Sequence, residues 1–291
     1  MRMRTSLLWL LCVSLGITSC GGGAGAKKHG VISMAPHITE VVYALGQGHQ
    51  LIACGKFDDY PPEVLSLPKV GGYTDPDFEK IAALNPALIL LPGAHPKMTE
   101  FANAAGIAVV NIHMDSLETI RAGIFALGQI FRCPDRAEAL VNQLNADLEA
   151  VRQRVEGRET PKVLLITSRE RHDLNNLPTV GKSSFLSELV TVAGGRNVFE
   201  DQDQPYFEAS KETVVMRAPD VIFEFHCGVS LTEAQRQAFY DDWKELSVLP
   251  AVQQARIFFI TDSHGMRPGP RVAEIARKMG EYLHPEAFIT P

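Results

Sequence analysis

Tyr73-Thr74-Asp75-Pro76-Asp77-Phe78-Glu79-Lys80-Ile81-Ala82-Ala83-Leu84-Asn85-Pro86 and Tyr206-Phe207-Glu208-Ala209-Ser210-Lys211-Glu212-Thr213-Val214-Val215-Met216-Arg217-Ala218-Pro219 share one spacing. In each, Tyr is followed six residues later by Glu and seven after that by Pro, and the copies stand 133 positions apart. Each Pro opens an apolar run of strand character: Ala87-Leu88-Ile89-Leu90-Leu91 in the first copy, Asp220-Val221-Ile222-Phe223 in the second. A second echo precedes the first in both places. Glu40 stands six residues before Gly46, as Glu188 stands six before Gly194. Chance produces either echo alone; both in the same order indicate an internal duplication, with two similar lobes and something held between them.

Outward from these stretches, short apolar runs alternate with helical patterns, the mark of α/β architecture. Strands are expected at Val31-Met34, Leu51-Cys54, Ala87-Leu91 and Ala108-Ile112, then at Val163-Thr167, Val221-Phe225 and Ile257-Thr261. Between the two sets lies the clearest helix. Pro134 fits its first position and Gly157 its stop. Ala137, Leu140, Val141, Leu144, Leu148, Val151 and Val155 recur every three or four residues as one apolar stripe. At 1.5 Å per residue such a helix is about 35 Å long, enough to span both lobes. Lobes joined by a helix rather than a loop should rock through small angles.

The start of the chain reads differently. Met-Arg-Met-Arg is a charged opening, Leu7 to Gly16 an apolar core, and Ile17-Thr18-Ser19-Cys20 a small-residue cleavage site ending in Cys. This is a secretory signal with the form of a bacterial lipobox, so export and lipid attachment at Cys20 are expected. The apolar run is short of the roughly 20 residues a membrane span needs, and acyl chains would supply membrane affinity instead. Gly21 to Lys28 reads as a flexible tether. The organisation is therefore a signal over 1–19, a lipidated Cys and tether over 20–28, an α/β lobe over 29–132, the connecting helix within 133–160, and a second α/β lobe over 161–291.

Composition narrows the function. A net charge of −6, which becomes −8 once Arg2 and Arg4 leave with the signal, lacks the basic footprint of a nucleic-acid binder. Cys54, Cys133 and Cys227 remain in the mature chain, too few for more than one internal disulfide, and no Cys-x-x-Cys supports a zinc ribbon or dithiol site. Enzyme-like strings also fail. Gly181-Lys182-Ser183 resembles the end of a phosphate loop, but Asn176 stands where its upstream Gly is needed. Asp201, Asp203 and Glu212 have calcium-loop spacing, but Pro205 and Tyr206 replace the middle ligand and the Gly. No Gly-x-Ser-x-Gly elbow or His-Glu-x-x-His occurs, so catalysis has no visible nucleophile or base.

Binding residues are easier to find. Six of the nine His follow expected strand ends: His37, His95, His113, His172, His226 and His264. Ligands of parallel sheets sit outside the carboxyl ends of strands, which places several of these near a cleft, although loop His also cap helices. No tight metal-ligand spacing is present, so a metal cage is not expected. Tyr73 and Tyr206 hold matching places in the repeat, and Tyr60 sits on the Pro-stiffened turn Asp59-Tyr60-Pro61-Pro62. A flat hydrophobic ligand between lobes would meet such rings. Glu79 and Glu212 fall at the starts of surface helices. There a carboxylate complements the helix dipole by about 0.3–1 kcal/mol, but repetition at matched positions favours a pair of acidic knobs that dock on a symmetric partner.

With these residues assembled, the chain resembles the substrate-binding proteins of ABC importers for cobalamin, haem and iron-siderophores, the class with a helical backbone, and within it the cobalamin-binding branch most. The resemblance runs from about Val31 to Pro285. It is carried by Ser33-Met34-Ala35-Pro36-His37-Ile38-Thr39-Glu40, Tyr43-Ala44-Leu45-Gly46, Asp59-Tyr60-Pro61-Pro62-Glu63, Val70-Gly71-Gly72-Tyr73, Ala83-Leu84-Asn85-Pro86, Gly194-Gly195-Arg196-Asn197-Val198-Phe199 and Arg267-Pro268-Gly269-Pro270-Arg271. It implies two α/β lobes bridged by one long helix with the ligand in the cleft. It implies that Glu79 and Glu212 engage arginines of two permease subunits. It also implies that Tyr60, Tyr73 and Tyr206 occupy aromatic cleft positions, the last two typically Trp in that branch, and that Arg267 is a basic position on the rim. The expectation is a lipid-anchored receptor that takes up a corrinoid, with His37, Tyr60, Tyr73, His172, Tyr206, His226 and Arg267 facing it and no cofactor beyond the ligand's own cobalt or iron. Haem, a ferric siderophore or, less so, a bare metal ion are the binding alternatives. A secreted α/β enzyme and a ligand sensor that signals without import are the rivals from other classes.

Overall fold

The computed structural model describes residues 28 to 289. The signal segment and Cys20 therefore lie outside the described residues. The first half contains β1 (Val31–Ser33), α1 (Pro36–Ala44), β2 (Leu51–Cys54), α2 (Phe78–Leu84), β3 (Leu88–Leu91), α3 (Pro96–Ala105), β4 (Ala108–Asn111) and α4 (Leu117–Ile130). Its four strands are all parallel, in the order β2-β1-β3-β4. After α5 (Pro134–Val155) come β5 (Lys162–Ile166), β6 (Asn176–Val180), α6 (Phe185–Val192), β7 (Arg196–Asn197), β8 (Tyr206–Ser210), α7 (Lys211–Arg217) and β9 (Val221–Phe225). The chain ends with α8 (Glu233–Asp242), α9 (Pro250–Gln253), β10 (Ile257–Ile260), α10 (Val272–Leu283) and α11 (Pro285–Phe288). The second main sheet is also parallel, in the order β10-β9-β5-β7. Each half thus builds one four-stranded parallel sheet, and the duplication read from spacing is present in the architecture.

The Tyr-Glu-Pro unit has one local cause in both halves. Asp77 caps α2 by accepting from Lys80 N, and Ser210 caps α7 by accepting from Thr213 N. Each helix then has seven residues with Glu79 or Glu212 second, and ends on a left-handed residue, Asn85 (φ 46°) or Ala218 (φ 47°). That cap stops the helix, and the Pro that follows cannot resume it, so the chain turns into β3 or β9. The second echo is the same kind of event. Gly46 (φ 70°) and Gly194 (φ 81°) take the left-handed conformation just past α1 and α6, where a Cβ would be strained.

The observed strands agree with the sequence expectation to within a residue at each end. What the pattern did not announce is β7 and the antiparallel pair β6–β8. β6 carries Pro178, which lacks an N–H and reads as a break, but in a two-stranded sheet one side of the strand needs no donor. Tyr206 consequently opens a strand instead of sitting in a loop.

α5 buries Ala137, Val141, Leu144, Leu148, Val151 and Val155, with Leu140 at the stripe's edge. It packs on α4 on one side and on α6 and α10 on the other. One continuous apolar core therefore runs from the first sheet through α5 into the second, joining Ile120, Ile124 and Leu127 to Leu189, Ile275 and Met279. Wide opening would have to shear this core, whereas small rocking would not. Cys54, Cys133 and Cys227 are all free thiols.

Candidate functional site

The carboxyl ends of both sheets face a cleft closed by two interlobe seams. In the first, Arg267 and Arg271, in and at the end of the loop between β10 and α10, reach Glu40 on α1. Arg271 donates from Nε and Nη2 to the two oxygens of Glu40 at 2.9 and 2.7 Å, and Arg267 Nη1 adds a contact at 3.2 Å. Glu40 is only 3% exposed, so two guanidinium groups compensate a carboxylate that could not stand there alone. In the second seam, Glu188 on α6 accepts from Leu117 N at 2.6 Å, and Phe185 N donates to Asp115 O at 2.8 Å. Leu117 opens α4, so Glu188 supplies negative charge to a helix N-terminus. The two seams are counterparts. Each Glu of the second echo leaves its own lobe and meets the start of a helix in the other, α10 or α4.

Tyrosines from both lobes line the space beside these seams. Tyr60 is 44% exposed and carries the Arg271 guanidinium 3.9 Å above its ring. Tyr73 donates its hydroxyl to Ala94 O at 2.7 Å and meets His95 edge-on, with centroids 5.3 Å apart. That bond fixes the ring over the loop that follows β3. Tyr206 is 47% exposed, and desolvation of its hydroxyl, with Asp115 of the first lobe nearby, holds the phenol above its ordinary pKa. A fourth ring, Phe57, carries no signal in the sequence. It is 63% exposed and packs beside Gly72, where a Cβ would lie 3.5 Å from Phe57 Cε2. Its carbonyl accepts from Arg267 Nη2 at 3.1 Å.

Arg267 lies at the rim as a tie between lobes, bonded to Asp59 Oδ1 at 2.5 Å as well as to Glu40 and Phe57 O. A ligand that uses its charge must share it with Asp59. His37, near the start of α1, sits under the same loop. A Cβ on Gly269 would come within 3.3 Å of His37 Cβ, and burial together with the Arg267 charge lowers the imidazole pKa to about 4. It is therefore neutral at physiological pH. In the same region, Asp58 is buried beside Thr39, and burial raises its pKa to about 6.

The remaining two expected contacts belong to a network inside the second lobe. The His226 ring pairs with Glu224 at 3.0 Å and packs on Phe239 at 4.4 Å. Glu224 also takes Arg169 and the Trp243 indole. His172 is exposed, with Nδ1 3.1 Å from Asp242, which also binds Arg169 and Arg171. The partners of both histidines named here all come from the second lobe. Glu79 and Glu212 are both exposed and neither forms an ion pair among the described residues, although Lys211 precedes Glu212. No group of three or more metal-binding side chains occurs among the described residues.

A fold of two α/β lobes on one helix, with aromatic rings from both lobes, is that of a solute receptor. Comparison with known proteins supports this. The family model described as periplasmic binding protein matches residues 31–263, and the chain belongs to that family. It is a binding protein, not an enzyme. Among curated relatives, the vitamin B12-binding protein of Vibrio vulnificus (strain YJ016) is 32% identical over 287 residues, covering 97% of each chain. Among solved structures, the periplasmic vitamin B12 binding protein BtuF of Vibrio cholerae is 26% identical with a TM-score of 0.72, covering 89% of this chain and 98% of that one. The periplasmic heme binding protein HutB of Vibrio cholerae reaches a TM-score of 0.76 at 21% identity, over 88% and 99% of the two chains, and shares the fold. No helix among the described residues is long and apolar enough to cross a membrane.

Proposed function

We propose that this protein is the substrate-binding component of an ABC importer, that it captures a corrinoid between its lobes, and that it passes the corrinoid to a permease. The observation that carries the ligand class is the set of tyrosines from both lobes at one cleft, in a chain that matches vitamin B12-binding relatives almost end to end. Tyr60 and Tyr73 present rings from the first lobe and Tyr206 from the second, an arrangement suited to a large flat ligand. Arg267 offers charge for the ligand's polar periphery, and the only metal in the complex is the ligand's own. Glu79 and Glu212, exposed, unpaired among the described residues and at equivalent helix positions, suit two basic sockets of a twofold permease. The Ile17-Thr18-Ser19-Cys20 signature supports a lipid anchor, which would keep the receptor beside that permease.

Haem is the second reading, because Tyr73 and Tyr206 place two phenols at the cleft and a Tyr oxygen can ligate haem iron. Gel filtration of the protein with equal amounts of cyanocobalamin, hemin and a ferric hydroxamate siderophore decides between them. Co-elution of the cobalamin absorbance alone is the expected result. Co-elution of hemin in its place would transfer the proposal to haem.

A further inference from the structure

Six histidines follow strand ends, and five of them are already engaged. His95 accepts from Met98 N, His172 faces Asp242, His226 faces Glu224, and His264 lies between Arg271 and Glu274. His37 is wedged under Gly269 beside the fixed charge of Arg267, a poor place for a further cation. His113 is different. It is exposed just past β4, and neither ring nitrogen has a partner among the described residues. It lies beside Tyr73. A Cβ on Gly93 would be 3.5 Å from Tyr73 Oη and 3.6 Å from His113 Cε1, so the two side chains share one corner. Two residues on, Asp115 makes the interlobe bond to Phe185 and lies near Tyr206.

From this placement, and resting on the corrinoid reading above, we infer that His113 is an axial ligand for the cobalt of a corrinoid whose upper position holds exchangeable water. A flat macrocycle lying across the cleft between facing strand ends points its axial direction at the loops that follow those strands, and His113 is the unengaged imidazole on such a loop. Neutral imidazole is a competent ligand for a first-row transition metal. In the exchange the cobalt–water bond breaks, a cobalt–nitrogen bond forms from the imidazole lone pair, and water leaves. Cobalt stays trivalent and no electron moves. A corrinoid with a tightly held upper group, such as cyanide, cannot make this exchange. His113 therefore gives the receptor a preference among corrinoids according to their upper ligand.

The test is visible absorption spectroscopy of the purified protein with aquocobalamin and, separately, cyanocobalamin. Aquocobalamin should shift on binding to the bands of an imidazole-ligated cobalamin, while bound cyanocobalamin keeps its own spectrum. His113→Ala should retain cyanocobalamin, lose the aquocobalamin shift, and bind aquocobalamin at least about tenfold more weakly than the parent. Aquocobalamin retained by the parent without a shift, or a shift that survives in His113→Ala, overturns the assignment and leaves the corrinoid reading intact. Failure to retain either corrinoid overturns both.

Discussion

A buried carboxyl and a partly buried imidazole beneath the Arg267 seam titrate in opposite senses across the same pH window. Asp58 is 3% exposed, and burial carries its carboxyl from 3.8 to about 6. The folded state therefore binds more protons than the unfolded chain between those values, and stability falls as pH rises through them. The gap corresponds to about 3 kcal/mol. His37 does the reverse. Burial and Arg267 move it from 6.5 to about 4, the unfolded chain binds more protons in between, and stability falls as pH drops through that range, again by about 3 kcal/mol. In the parent the two contributions nearly cancel; single substitutions separate them. Relative to the parent, Asp58→Asn should show no charge-linked gain below about pH 4 and a gain that grows to about 3 kcal/mol above pH 6. His37→Gln should gain by a similar amount as pH falls from about 6.5 to 4, on top of a constant offset for altered packing. Urea unfolding of all three ligand-free proteins in half-unit steps from about pH 4 to pH 7 gives the comparison. Parallel stability curves for the parent and both variants would refute the reasoning.

Truncating either cleft ring, Tyr73→Ala or Tyr206→Ala, should weaken corrinoid binding by about 1–3 kcal/mol, as read by calorimetry. Unchanged affinity in both would return these rings to packing roles. Glu79→Arg combined with Glu212→Arg should abolish corrinoid import by cells that depend on this receptor, while affinity in solution changes by less than about twofold. A large loss of affinity would place the two residues at the ligand instead. The two seams should differ in strength. Glu40→Ala leaves Arg271 and Arg267 facing a buried void and should cost about 3–5 kcal/mol. Glu188→Ala removes one helix-terminal contact and should cost about 1 kcal/mol. Hydrogen exchange at Leu117 and urea midpoints of the two variants measure both effects.

Much of the fold was legible because its signals are local. Apolar runs mark β1, β3, β5, β9 and β10, and a Pro start with a single stripe marks α5. The repeat spacing even located the equivalent caps of α2 and α7, because helix length and a left-handed stop followed by Pro are written within fourteen residues of sequence. The pair β6–β8 was not legible, since Pro178 interrupts the pattern and a two-stranded sheet imposes little alternation. Site residues divide along the same line. The equivalent places of Tyr73 and Tyr206 were readable from symmetry. The pairing of His226 was also within reach of the sequence, since Glu224 two residues earlier falls on the same side of an extended chain. That of His172 was not, because Asp242 lies 70 residues away. The echo that joins Glu40 to Glu188 announced equivalence but not purpose. Their partners sit in the opposite lobe, and only the folded chain brings Glu40 to Arg271, 231 residues later. Phe57 carries no pattern of its own, and His113 shares its place after a strand with five other histidines; exposure sets both apart, and for His113 so do two ring nitrogens without a partner among the described residues.

On the function proposed above, the cleft between the lobes holds one corrinoid. Calorimetric titration of cyanocobalamin into the soluble chain that begins at Lys27 tests it most directly. Saturable binding with one site per chain is expected, lost or sharply weakened when Tyr73 and Tyr206 are both replaced by Ala. No heat and no retained colour, in a sample whose unfolding transition shows it to be folded, would contradict it.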